Sequence, residues 1–300
     1  MNALYRILTA TLLTFILTLS ASMITFAQEE GQEQTPVSDD GKKPVRAPFE
    51  AILLIDNQTY QTQAKGSHEI HIHHRFGKFG NGFTDLMGIY APSNIRLGYT
   101  YGITPKITVG FGTEKNNKMQ EIEWKYNILH QTRDNSIPLA VTYYGNFVID
   151  GRNKDNFGET YKFIHRLSYF NELLIGRKFN NRLTLQVGAN FTHFNSVDSL
   201  MEHDKIGVTF GGRFKIWNDN SFIFEYDKPL HIKGIQEHLE LTNPPAPNYA
   251  FGIEFSTSTH AFQVFATSWD HIILQKNYQF AQNKFFKKDI LLGFNITVRL

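Results

Sequence analysis

Phe179-Asn180-Asn181-Arg182-Leu183-Thr184-Leu185-Gln186-Val187-Gly188-Ala189-Asn190-Phe191 is the stretch whose reading decides the fold. Asn180-Asn181 is a turn signal, because asparagine tolerates left-handed backbone and bonds its own main chain. After it, Leu183, Leu185, Val187, Ala189 and Phe191 alternate with Thr184, Gln186, Gly188 and Asn190. Period two marks a strand with one apolar and one polar face. A run of this length crosses a bilayer as a tilted strand, which takes about 9–11 residues.

The same period recurs on both sides. Downstream, Ile206, Val208, Phe210 and Phe214 oppose Lys205, Thr209 and Arg213. Phe222, Phe224 and Tyr226 oppose Glu225, Ile253 and Phe255 flank Glu254, and Phe262 and Val264 flank Gln263. The last strand sets Leu292, Phe294, Ile296 and Val298 against Asn295, Thr297 and Arg299. Upstream, Ile70, Ile72 and Phe76 oppose Glu69, His71, His73 and Arg75. Ile95, Leu97 and Tyr99 oppose Arg96, while Ile122, Trp124 and Tyr126 oppose Glu121, Glu123 and Lys125. Tyr161, Phe163, Leu167 and Tyr169 read against Lys162, Arg166 and Ser168. The pattern predicts an all-β chain of about 12 antiparallel strands (range about 10–14), an even count as membrane barrels prefer.

The connections sort by length. Short turns fall near Ile103, Asn180, Asn218 and Ser258, and long polar connections at 77–93, 150–159, 193–204, 227–248 and 268–289. Short turns at one end and long loops at the other are the habit of up-and-down transmembrane barrels. Gln131–Ile137 fits less well, being long for a short-turn position.

Composition agrees. The chain has 26 Phe, 13 Tyr, no Cys and a net charge of +2. Near-neutrality gives no electrostatic case for nucleic acid, and the lack of cysteine excludes disulfides and thiolate sites. Abundant aromatics with a negative mean hydropathy of -0.31 suit a barrel in which only alternate residues meet lipid.

Residues 1–27 read as a signal peptide: Arg6, an apolar stretch Ile7–Ile24, then Thr25-Phe26-Ala27 with small residues for cleavage. Residues 28–48 are polar, with Pro36, Gly41 and Pro44, and read as a flexible periplasmic lead-in. Residues 49–66 contain Ala51-Ile52-Leu53-Leu54-Ile55, too short to span as a helix, and are expected to form a plug or cap. The barrel is expected over 67–300.

The chain resembles a family of Bacteroidota outer-membrane β-barrels of unknown function. The matching stretches include Leu54-Ile55-Asp56-Asn57-Gln58-Thr59, His74-Arg75-Phe76-Gly77, Asn94-Ile95-Arg96-Leu97-Gly98, Gly110-Phe111-Gly112-Thr113, Val141-Thr142-Tyr143-Tyr144-Gly145-Asn146 and Phe224-Glu225-Tyr226-Asp227. The resemblance runs from about Phe49 onward and implies the fold and the bacterial outer membrane. It brings no activity.

The expected lumen face carries Glu69, His71, His73, Arg75, Arg96, Glu121, Glu123, Lys125, Lys162, Arg166, Arg213, Glu225, Glu254 and Arg299. Charges there either select small solutes or interlock as a plug. His71 and His73 share a strand face and are weak metal candidates, against the plainer reading of a polar wall. No cofactor is called for. Ser258 and His260 sit in a tight turn with no acidic orienter, so no enzyme is expected. The expected partners are outer-membrane lipid, a small polar or charged solute, and a periplasmic protein. The leading function is a narrow pore or small-solute transporter; the alternative is a structural barrel that docks a periplasmic or surface partner.

Overall fold

The computed structural model describes residues 41–199, 201–231, 244–287 and 289–300. The signal peptide read at 1–27 and lead-in residues 28–40 lie outside them. Period-two alternation gives the strands β1 (His68–Lys78), β2 (Asn94–Thr104), β3 (Ile107–Glu114), β4 (Met119–Leu129), β5 (Ala140–Ile149) and β6 (Leu167–Lys178). The second half adds β7 (Leu183–Phe194), β8 (Asp204–Trp217), β9 (Asn220–Pro229), β10 (Asn248–Ser256), β11 (His260–Thr267) and β12 (Leu291–Arg299). Each pairs antiparallel with its neighbour in sequence, and β1 pairs with β12, Ile70 opposite Val298, to close the barrel. Closure leaves no sheet edge, which a strand protein in lipid requires.

Register fixes the two faces. Leu97, Phe111, Ile122, Val187, Phe210, Phe251 and Val264 stand exposed on the outside, the belt that lipid covers. Glu121, Glu123, Lys125, Arg213, Glu225 and Glu254 point inward and are buried. A one-residue slip would turn every charge into lipid, so the alternation itself holds the register.

Three readings change. Lys162 and Arg166 do not line a strand: β6 begins at Leu167, and Phe163–Arg166 form a short 3-10 turn. Adjacent apolar Phe163 and Ile164, both exposed, break the period there. Lys162 is exposed, and Arg166 folds back on its own loop, donating through Nη1 to the carbonyls of Asp150 (2.7 Å) and Arg152 (2.5 Å). Second, the end of the lead-in is tied down. Pro44 bridges Thr132, Val45 N–H donates to the Gln131 carbonyl at 2.9 Å, and Lys178 Nζ to the Arg46 carbonyl at 2.7 Å. The long 131–137 connection is the bed on which this segment lies. Third, the inner face is not wholly polar: Tyr144, Phe170, Leu174, Ile223 and Phe265 are buried on it, because the interior holds protein.

Candidate functional site

The wall of β2–β5 builds a charged cluster from small pieces. Arg96 lies flat across Gly98 and Gly112, where an added Cβ would come 2.6 and 2.3 Å from its guanidinium. That trough lets Arg96 reach Glu121 at 2.5 Å and Glu123 at 3.1 Å. Asn146 Nδ2 donates to Glu121 at 2.5 Å and the Tyr144 hydroxyl to Glu123 at 3.0 Å. Buried charges persist only when paired and hydrogen-bonded, and this set meets both conditions.

Residues 49–66 form a hairpin inside the barrel. Leu53 bridges Gln58, Leu54 N–H donates to the Asn57 carbonyl at 2.8 Å, and the tip is Ile55-Asp56. The hairpin backbone is read by wall side chains. Glu225 accepts from the N–H groups of Ile55 (3.1 Å), Asp56 (2.8 Å) and Asn57 (3.1 Å). Lys125 Nζ donates to the carbonyls of Ile52 (2.5 Å) and Thr59 (2.9 Å). Gln186 accepts from Tyr60 N–H and donates to the Gln58 carbonyl, at 3.1 and 2.8 Å. At the tip, Asp56 pairs with Arg75 at 2.7 Å, both side chains 1% exposed. Near the entry, Glu50 pairs with Arg213 at 2.9 Å, and Arg299 donates to the Glu50 carbonyl. The apolar side chains Phe49, Leu54, Ile55 and Tyr60 pack with Leu174, Ile223 and Phe265 of the wall. Gly176 makes room, since a Cβ there would sit 2.1 Å from the Tyr60 ring.

The connection between β11 and β12 folds in from the other end. It carries the short helix α1 (Leu274–Phe280), with Trp269, Ile273 and Tyr278 buried. Gln275 exchanges bonds with Asn146 at 3.0 and 3.2 Å. The Tyr278 hydroxyl donates to Asp227 at 3.1 Å, and Asn57 next to the hairpin tip donates to the same carboxylate oxygen at 2.7 Å. Hairpin and insert therefore meet at Asp227. Burial lowers the His271 imidazole to about 4, partly opposed by Asp270. Burial also lowers the Lys276 amine, partly opposed by Glu114.

A cavity of about 20 Å³ lies between the two inserted segments beside His73–Arg96–Tyr144, and one of about 10 Å³ lies between the hairpin and the wall beside Thr100–Thr108–Lys125. A cavity needs roughly 10–15 Å³ to hold one water, so these are single-water spaces at most. Larger cavities open at the mouths. One of about 530 Å³ at the short-turn end is lined by Glu50, Lys178, Arg213 and Arg299 among others. One of about 620 Å³ at the long-loop end is lined by Asp150, Arg152, Phe157, Arg166, Asp198, His271, Lys276 and Phe280 among others.

Of the residues named from sequence, Glu69, His71, His73, Arg75, Arg96, Glu121, Glu123, Lys125, Arg213, Glu225 and Glu254 are buried on the inner face. Arg299 sits at the short-turn mouth, Arg166 at the long-loop mouth, and Lys162 on the surface. His71 spends its two nitrogens on Thr100 (3.0 Å) and Thr297 (3.3 Å), as a wall histidine does. Among the described residues no group of three or more His, Asp or Glu is placed to hold a metal. Sequence reasoning missed Asp56, Glu172, Asp227 and Lys276. Glu172 and Asp227 continue the inward period of β6 and β9, but Phe170 and Leu174 around Glu172 are apolar and hide it.

The chain belongs to the family described as membrane bound beta barrel domain (DUF5777), whose model matches residues 49–300. No curated protein sequence matches it. Among solved structures, the NanC porin is 9% identical with a TM-score of 0.46, over 77% of this chain and 98% of that one. The KdgM porin is 6% identical with a TM-score of 0.44, over 78% and 97%. An outer membrane channel from Pseudomonas putida F1 is 8% identical with a TM-score of 0.45, over 80% and 98%. None is similar enough to carry a substrate or mechanism across.

Proposed function

We propose that this membrane barrel is a narrow outer-membrane pore or small-solute transporter, held shut by the 49–66 hairpin and the 268–289 insert. The long loops face outside and the short turns face the periplasm. The Bacteroidota source implied by the resemblance rests on that resemblance alone. The observation that carries the pore reading is how the hairpin is held. The wall grips its backbone through the polar side chains of Glu225, Lys125 and Gln186, so the inner face left behind on withdrawal is polar and can be wetted. A barrel built only as an anchor has no need of such a wall. The hairpin also continues from the 42–48 segment along the short-turn rim, so a pull from the periplasm would reach it first.

Planar-bilayer conductance tests this. The intact chain is expected to be mostly closed. Gly176→Val, which drives a side chain into the Tyr60 ring, and a chain lacking residues 47–64 are both expected to conduct more. If both variants fold, as judged by heat-modifiable gel mobility, and neither conducts above the intact chain, the pore reading fails. The docking reading would then stand, with residues 42–48 as its first candidate surface.

A further inference from the structure

The 620 Å³ cavity at the long-loop mouth lies within the roughly 300–1,000 Å³ of ordinary small-molecule sites. Its polar groups are arranged unevenly. Arg152 commits Nε and Nη2 to Asp150, at 3.0 and 2.7 Å, which neutralises that carboxylate. Arg166 commits Nε to the Tyr161 hydroxyl at 2.6 Å and Nη1 to two carbonyls. Each guanidinium therefore keeps one nitrogen, Nη1 of Arg152 and Nη2 of Arg166, without a partner among the described residues. Both lie over the Phe157 ring, 5.7 and 4.8 Å from its centroid. Across the cavity, the Lys276 ammonium on α1 makes no direct ion pair and no side-chain hydrogen bond among the described residues; it lies 5.9 Å from the Phe280 ring and within electrostatic reach of Glu114, Asp150 and Asp270. Against these three cations the lining offers Asp150, already paired with Arg152, and Asp198 on the exposed rim, while Glu114 and Asp270 just outside the lining also face Lys276.

A half-buried ammonium with no direct ion-pair partner is costly, and so are guanidinium edges left facing a cavity. An oxyanion between them would relieve both, through charge-assisted and partly bidentate bonds. Burial already weakens the Lys276 amine's hold on its proton, and an anion beside it would restore that hold.

We propose that Arg152, Arg166 and Lys276 form a binding site for a small organic oxyanion, a carboxylate or phosphate of about hexose size, resting against Phe157. As the solute class of a pore this rests on the pore reading; as a binding site it is measured separately. Lys276 sits on the inserted segment and the arginines on the 150–166 connection, so one ligand would touch both the barrel's rim and the element that fills its mouth.

The test is isothermal titration of the full chain in detergent with glucuronate, glucose 6-phosphate, glucose and glucosamine. Saturable binding is expected for at least one of the two anions, with glucose and glucosamine at least about tenfold weaker, the worth of one charge-assisted bond. Which anion binds separates carboxylate from phosphate recognition. Lys276→Met breaks no existing bond and is expected to weaken the anion about tenfold or more, while exposed Lys162→Gln leaves it unchanged. Glucose binding as well as the anions, a Lys276→Met affinity equal to that of the parent, or no saturable binding of either anion each overturns the site. If binding fails while the hairpin variants still conduct, the pore reading survives without it.

Discussion

Asp56→Ala removes the carboxylate at the tip of the hairpin and so isolates what holds the plug in place. Asp56 accepts from Arg75 (2.7 Å), Thr267 (2.8 Å) and Asn248 (3.1 Å). Losing one partner of a buried pair costs about 3–5 kcal/mol, because the other charge stays buried. Arg75 would keep the Ile55 carbonyl at 3.0 Å, Asn295 at 3.0 Å and the Phe265 face at 4.5 Å, which argues for the lower end. Withdrawal of the hairpin gives Arg75 access to water, so the penalty applies to the docked state. A docked state weakened by about 3 kcal/mol shifts the docked–undocked equilibrium about a hundredfold. The readout is the frequency of conductance events in planar bilayers, with gel mobility confirming a folded barrel. Arg75→Met completes a double-mutant cycle and separates the pair from its other contacts. A folded Asp56→Ala barrel whose event frequency stays within about twofold of the parent, the error of such cycles, would refute the reasoning.

The insert has its own lever in Gly207, where a Cβ would stand 2.3 Å from the Tyr278 ring. Gly207→Val is expected to loosen the 268–289 segment without moving the hairpin, raising protease cleavage within that segment and leaving Glu50–Tyr60 protected. Acid should do the same through His271, which faces Asp270 and Lys276: its imidazole titrates at about 4 when docked, against an ordinary 6.5. The undocked form then binds the proton first, so docking is fully stable above 6.5, weakens as pH falls from 6.5 to 4, and loses at most about 3 kcal/mol. Trp269 fluorescence, in a chain with Trp124→Phe and Trp217→Phe, should follow that window and lose the dependence in His271→Gln. For orientation, an impermeant thiol reagent on whole cells should label Asn153→Cys and not Asn181→Cys; the reverse would invert the barrel.

The fold was legible because each strand repeats the same two-residue rule, and lipid on one side enforces it. The hairpin and insert were not, because no periodicity marks a segment that serves as filling. Ala51–Ile55 is visibly apolar, yet nothing in that run says that Glu225 and Lys125, far along the chain, will bond its backbone. Phe170 and Leu174 show the same limit from the wall side. They are apolar on the face that alternation marks as wet, and they make sense only once Tyr278 and Tyr60 cover them. Lys162 and Arg166 fail for the opposite reason: the period does not run through Phe163-Ile164, where two adjacent apolar residues break it.

The way the hairpin is held also says how a pore of this kind could open. Phe49, Leu54, Ile55 and Tyr60 are buried against wall residues. Fully burying four such side chains contributes about 6–12 kcal/mol, an upper bound for a segment that stays partly collapsed when it leaves. That exceeds the effect of deleting the Asp56 carboxylate, so the deletion changes how often the hairpin leaves and does not empty the lumen. The same comparison separates two roles in the contact set. The apolar side chains set the depth of the closed state, whereas Glu225, Lys125 and Arg75 set its position, since each bonds a particular backbone group. Replacing Leu54 by Ala should therefore raise conductance without changing where the hairpin rests. Glu225→Gln, which keeps the shape but replaces one of the two oxygens that gather three N–H groups with an amide NH2, should let the tip shift while the lumen stays filled. Cross-linking between cysteines placed at Asn57 and Thr209, whose side chains lie 3.2 Å apart, reads that position directly. Its yield should fall in Glu225→Gln and hold in Leu54→Ala; the opposite order would mean that charge closes the barrel and apolar packing merely aligns it.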